Sequence, residues 1–268
     1  MRKLRIAVRA VATACLLLLP VAVLAQDTGQ TTNTSSRDRL FLSFEEDAIV
    51  AEDQWWEGRL DYGSGDPADR TAILGVAAFQ PWRNVEVGGR IGFGSTNADP
   101  PFPDGTGATD FDFWGKYYWR MDDTKTELTA GGVLTVPTGD DAAGLGYDAF
   151  SLEGFGAIRR RLKAAVITGK VGLRANTDGS IFGSPDLDGR LSVALGVGAI
   201  IPWSDGYSFV AELDWENERF DEAGDRSFVL GGVNLKVSNR GIVRAALAFG
   251  LTSQSSDFEL TAGYAYTF

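Results

Sequence analysis

The sequence predicts an all-β fold, a transmembrane up-and-down antiparallel β-barrel of about 12 strands with short periplasmic turns and longer extracellular loops. Three observations predict it. Twelve segments alternate in polarity with a period of two. Tight turns such as QPWR, MDDT, RRRL, PWSDG and SNRG alternate with long loops such as TNADPPFPDGTGA, PTGDDAAGLGYD and NTDGSIFGSPD. Five of the seven tryptophans, at 55, 56, 82, 119 and 203, fall at the short-turn ends of the segments or in the turns.

The chain begins with Arg2, Lys3, Arg5 and Arg9 ahead of LLLLPVAVLA, which closes on Ala25. This is the layout of a cleaved secretory signal over residues 1–25. The run contains Pro20 and is shorter than the roughly 20 apolar residues of a spanning helix. Cys15 lies within residues 1–25 and is lost with them, so the exported chain has no thiol for a disulfide, a nucleophile or a metal. Removing residues 1–25 takes four of the 25 basic residues and no acid; 21 remain against 36 acidic, a net of −15. Such a balance argues against nucleic acid as a partner. The absence of histidine rules out Ser-His-Asp and Cys-His chemistry and removes the commonest metal ligand, so no catalytic residue, metal or cofactor is expected.

Residues 26–53 start as QDTGQTTNTSSRDR and continue as LFLSFEEDAIV. They read as a polar lead-in or small plug, because a thirteenth strand would put the two termini on opposite sides. The barrel follows over 54–268. Its first segment, 54–63, sets Glu57, Arg59 and Asp61 on one parity. The second, 69–80, is apolar on both faces and takes its orientation from its neighbours. The third, 83–95, contributes Glu86 and Arg90. The fourth, 108–121, places Phe111, Phe113, Tyr117 and Trp119 opposite Asp112, Trp114, Lys116, Tyr118 and Arg120. Glu127 belongs to 124–136, Glu153 and Arg159 to 148–159, and Lys170 and Arg174 to 163–175. In 187–201, Leu191, Val193, Leu195 and Val197 oppose Arg190, Ser192 and Gly196. In 206–217, Tyr207, Phe209, Leu213 and Trp215 oppose Glu212, Asp214 and Glu216. Lys236 lies in 226–237 and Arg244 in 241–251. The last segment, 257–268, alternates Leu260, Ala262, Tyr264, Tyr266 and Phe268 with Glu259, Thr261 and Gly263.

A soluble antiparallel protein would alternate too. Against that stand the placement of the tryptophans and the sorting of charge, with RRRLK in a short turn and Asp66, Asp99, Asp104, Asp140, Asp141 and Asp178 in the long loops. The final segment would also leave a soluble sheet with an open edge, whereas a closed barrel pairs it with the first. Trp56, Trp82, Trp119, Trp203 and Tyr266 then form a membrane girdle. The terminal strand resembles the C-terminal assembly signal of bacterial outer-membrane proteins, with Tyr264, Tyr266 and Phe268 as its aromatic face. That likeness implies the barrel-assembly machinery as a partner, beside outer-membrane lipids and lipopolysaccharide.

With the polar parity inward, the lumen receives ten acidic and ten basic side chains: those named above from Glu57 to Arg244, and Glu259. Twelve strands about 4.8 Å apart, tilted about 40°, give a diameter of roughly 24 Å and an opening of about 10 Å or less. One reading is a narrow channel for an unidentified small solute, with a polarised wall in which Lys170, Arg174 and Arg190 lie on successive strands and Glu212, Asp214 and Glu216 crowd the next. The other is a non-conducting structural or surface-interaction barrel whose lumen is closed by ion pairs. Glu212 with Asp214 is an acid–base pair in principle, but reads as electrostatic lining.

Residues 109–141 carry a family likeness. Asp110, Asp112, Trp114, Gly115, Lys116 and Tyr117, then Leu134, Pro137, Thr138, Gly139 and Asp140, resemble the outer-membrane family named for a MetA pathway of phenol degradation. The resemblance implies a barrel that moves small compounds, aromatic or hydrophobic ones among them, across the outer membrane.

Overall fold

A strand with one apolar and one polar face still carries backbone N–H and C=O groups along both edges, and closing the sheet into a barrel pairs them all. The computed structural model describes residues 39–50, 54–121, 125–182 and 184–268, without the side chains of 184–186. The signal expected over 1–25 and the polar stretch 26–38 lie outside the described residues.

In chain order the strands are β1 (Trp55–Ser64), β2 (Ala68–Trp82), β3 (Val85–Ala98), β4 (Gly105–Ala108), β5 (Phe111–Met121), β6 (Thr126–Val136), β7 (Ser151–Arg161) and β8 (Val166–Asn176). Then come β9 (Gly179–Ile181), β10 (Ser184–Leu187), β11 (Leu191–Ser204), β12 (Tyr207–Glu216), β13 (Arg226–Lys236), β14 (Gly241–Gly250) and β15 (Phe258–Thr267). The short β4 and the β9–β10 pair belong to the loops; the other twelve pair antiparallel, each with the next. β15 returns to β1, from Trp55↔Thr267 to Ser64↔Phe258, and the barrel is closed. Each expected segment is one of these twelve strands, displaced by no more than four residues at either end.

One expectation about the connections is corrected. Short and long do not alternate strictly, because β1 and β2 are joined by residues 65–67 alone, on the same side as the loops 137–150 and 177–190. Gly65 and Pro67 make so brief a reversal feasible. The register of β11 against β12 slips between Pro202 and Ser204, next to a residue with no N–H to give the ladder.

The outer face is apolar along the wall: Ile73, Ile91, Phe93, Leu173, Leu191 and Phe249 are all exposed. Such a surface is costly in water and at home against acyl chains. Trp56, Trp82, Trp119 and Trp203 point outward at the short-turn ends, with Tyr266 beside Trp56 in the ladder. Trp55 breaks the expected pattern. It is 1% exposed against 72% for Trp203, and it faces inward, where its indole donates to Glu57 at 3.2 Å.

Candidate functional site

The inward parity of each strand meets one segment that belongs to no strand. Residues 39–50 form turns inside the short-turn half of the barrel, and all but Leu42 are buried. They act geometrically as a stopper. Phe44 packs on Trp55 at 5.8 Å and edge-on to Trp114 at 6.0 Å between ring centres. Leu40 and Phe41 pack with Val166, Ile200, Val210 and Leu230 from the opposite wall. Glycine makes the room: a Cβ at Gly198 would come within 2.7 Å of Leu40, and one at Gly232 within 2.9 Å of Phe41.

Charge holds the segment as firmly. Arg39 reaches Glu86 through two hydrogen bonds, and Glu86 also accepts from the Trp114 indole at 3.1 Å and pairs with Lys116 at 3.3 Å. The Lys116 ammonium donates to the carbonyls of Glu45 and Asp47 at 3.0 and 2.9 Å. Arg159 donates to the Asp47 carboxylate at 3.2 Å. The Glu212 carboxylate takes the backbone N–H groups of Phe41, Leu42 and Ser43. Arg244 bridges Glu57 at 2.7 Å to the carbonyls of Arg39 and Leu40, while its guanidinium lies 4.3 Å from the Phe41 ring centre. Glu45 pairs with Arg90 at 2.9 Å and Glu46 with Lys170 at 3.5 Å. Buried charges are tolerated only when paired in this way.

Above the stopper lies a vestibule of about 440 Å³, floored by Glu45 and Glu46 and reached from the long-loop side. Its wall carries Arg59 paired with Asp61, Arg90 with Asp112, and Arg174 with Glu153 and Glu216. The loop 137–150 folds over it. Asp110 accepts the N–H groups of Gly139 and Tyr147 at 3.0 and 3.3 Å, and burial pushes its carboxyl above the usual range. Arg219, from the loop after β12, lies 5.3 Å over the Tyr147 ring; burial and the nearby Arg174 lower its pKa.

The residues singled out from sequence thus divide by place. Glu57, Glu86, Arg90, Lys116, Lys170, Glu212, Asp214 and Arg244 touch the stopper or its immediate partners. Glu127 sits beside them, bound by Arg161 at 2.8 Å and Tyr118 at 3.0 Å. Arg59, Asp112 and Arg174 line the vestibule, with Glu153 and Glu216 paired to Arg174 behind it. Three are not brought to either. Arg190 lies just before β11, in the loop region, paired with Glu218 and Asp221. Arg120 and Lys236 are exposed at the short-turn ends of β5 and β13, where parity alone no longer encloses a side chain.

Sequence reasoning did not single out Arg39, Asp47, Arg70, Tyr147, Arg219 or Arg226. A signal for the stopper was present in Trp114, Val76, Val133 and Phe155, apolar side chains at inward parity that a water-filled lumen has no use for.

No protein-family model and no curated protein matches the sequence. Solved structures do. An outer membrane channel from Pseudomonas putida F1 is similar over 84% of this chain and 98% of its own, with a TM-score of 0.69 at 14% identity. The KdgM porin, solved in complex with disordered oligogalacturonate, is similar over 80% of this chain and 99% of its own, with a TM-score of 0.55 at 8% identity. The NanC porin covers 80% of this chain and 100% of its own, with a TM-score of 0.55 at 9% identity. At these identities the likeness is one of fold, and the fold they share with this chain is the barrel of outer-membrane channels.

Proposed function

We propose that this chain is an outer-membrane channel for small solutes, aromatic or hydrophobic compounds among them, whose conduit is held shut by residues 39–50. One observation carries the reading: a closed barrel with an apolar exterior encloses a polar vestibule that ends on a short segment fixed by ion pairs and backbone hydrogen bonds, not by strand pairing. A segment so held can leave without unzipping a strand. The three similar structures described as channels or porins support the same reading. The resemblance at residues 109–141 supports the solute class. Trp56, Trp82, Trp119, Trp203 and Tyr266 serve as the interfacial girdle, and the face of Tyr264, Tyr266 and Phe268 as the strand presented to the assembly machinery.

Single-channel recording in planar bilayers tests it. The chain lacking residues 39–50 is expected to show discrete conductance steps larger or more frequent than those of the full chain. The depth of the Arg39–Glu86 and Arg159–Asp47 pairs favours a second reading, a permanently closed structural barrel. Silence from both proteins, each correctly folded by its heat-dependent gel mobility, would establish that one and remove the channel.

A further inference from the structure

The basic run RRRLK, residues 159–163 at the short turn between β7 and β8, divides residue by residue in the fold. Arg159 turns inward to Asp47, and Arg161 bonds to Glu127 at 2.8 Å. Arg160 and Lys163 are exposed, line no part of the vestibule and make no ion pair among the described residues. From Arg159 to Lys170 the sequence holds no acid, so nothing in their own turn neutralises them. The turn between β5 and β6 lies alongside, with the Arg161 N–H donating to the Lys125 carbonyl at 3.1 Å. In that turn the sequence sets Asp122 and Asp123 against Arg120 and Lys125, and the surplus of charge rests with Arg160 and Lys163.

The ladder sets their depth in the membrane. Trp119, Leu128 and Ile158 stand on one rung of the outer wall, and Trp119 belongs to the girdle. Arg160 is the next residue of that face after Ile158, about 7 Å nearer the turn at about 3.4 Å per residue. It therefore follows the hydrocarbon-facing row where lipid headgroups begin. Leu162 is exposed between the two cations, and the turn it caps is closed by its N–H to the Ala165 carbonyl at 2.8 Å. Cations on either side of an exposed leucine suit a partner that is part phosphate and part acyl chain. A soluble anion offers only the first.

We propose that Arg160 and Lys163 form a binding site for the phosphate of an anionic phospholipid in the periplasmic leaflet, with Ile158 and Leu162 against its acyl chains. The guanidinium fork of Arg160 matches two phosphate oxygens, and Lys163 adds a point charge. A zwitterionic headgroup carries its own ammonium and gains little from the pair. An anionic one gains about fivefold in affinity for each cation. The site rests on the placement of the wall in the bilayer and is indifferent to whether the lumen conducts.

Native mass spectrometry of the full chain released from detergent tests it, with dioleoyl phosphatidylglycerol and dioleoyl phosphatidylcholine as probes. Phosphatidylglycerol is expected to bind roughly twentyfold more tightly. Arg160→Gln and Lys163→Gln should each weaken it about fivefold, and the double variant should bring it close to phosphatidylcholine, whose binding stays unchanged. Heat-dependent gel mobility confirms that each variant is folded, and the single variants decide the matter if the double one is not. Lys236→Gln, at an exposed cation on the short-turn end of β13, is expected to leave the preference intact. Equal binding of the two lipids, a preference untouched by removing Arg160 and Lys163, or an equal loss in Lys236→Gln would overturn the proposal. So would displacement of the lipid by millimolar inorganic phosphate, which marks a site for soluble anions.

Discussion

Arg39 and Glu86 meet inside the barrel through two hydrogen bonds of 3.2 and 2.5 Å, with neither side chain reached by solvent. One belongs to the stopper and the other to the wall. Their contact ties the segment to the wall, and removing either partner strands a buried charge at a cost of about 3–5 kcal/mol.

Glu86→Gln should loosen the stopper by about that amount, since Lys116, itself donating to the stopper's carbonyls, loses the same carboxylate. Longer open dwells in bilayer recordings are the expected result. Unchanged gating would show that the pair is not what holds the segment.

Gly198→Leu tests the same segment without touching a charge. A side chain there collides with Leu40, so the stopper must shift. Limited trypsin digestion should cut after Arg39 faster in the variant than in the parent, with heat-modifiable mobility retained. Equal cutting rates would show that the segment accommodates the intrusion.

Val171→Arg probes the outer wall. Val171 is 51% exposed on the outward face of β8, and an arginine facing acyl chains at mid-depth costs about 2–4 kcal/mol. Urea titration in lipid vesicles should show that loss. A neutral outcome would mean that this face does not meet the bilayer.

Asp110 fixes the loop over the vestibule by accepting from Gly139 and Tyr147. Burial raises its folded pKa above the unfolded value, so the docked loop binds the proton more tightly than the free loop. Docking strengthens as pH falls through the window between the ordinary carboxylate range and the raised value, and weakens as pH climbs past it. Asp110→Asn keeps the acceptor without the charge and should hold the loop at pH 7. Asp110→Ala orphans two N–H groups and should cost about 1–3 kcal/mol. Protease cleavage within 137–150 reads the difference, and equal loosening in both variants would sink the argument.

The wall of this protein was legible because its cause is local. A residue's parity decides its face, so twelve alternating segments, an outward band of tryptophan and a terminal strand ready to pair with the first all follow from spacing of two. Trp55 shows the limit of that reasoning. Its neighbour Trp56 meets the outer face and Trp55 the inner, and nothing in their composition says that an aromatic ring waits inside.

What fills the lumen was settled by the tertiary structure alone. Parity says that Glu212 points inward, but its partners are the backbone N–H groups of Phe41, Leu42 and Ser43, about 170 positions earlier in the chain. Residues 39–50 have no period to betray their path, and contacts across a barrel depend on how far each strand is staggered against the next. Alternation fixes which way a side chain points; only closure of the sheet brings it to what it meets.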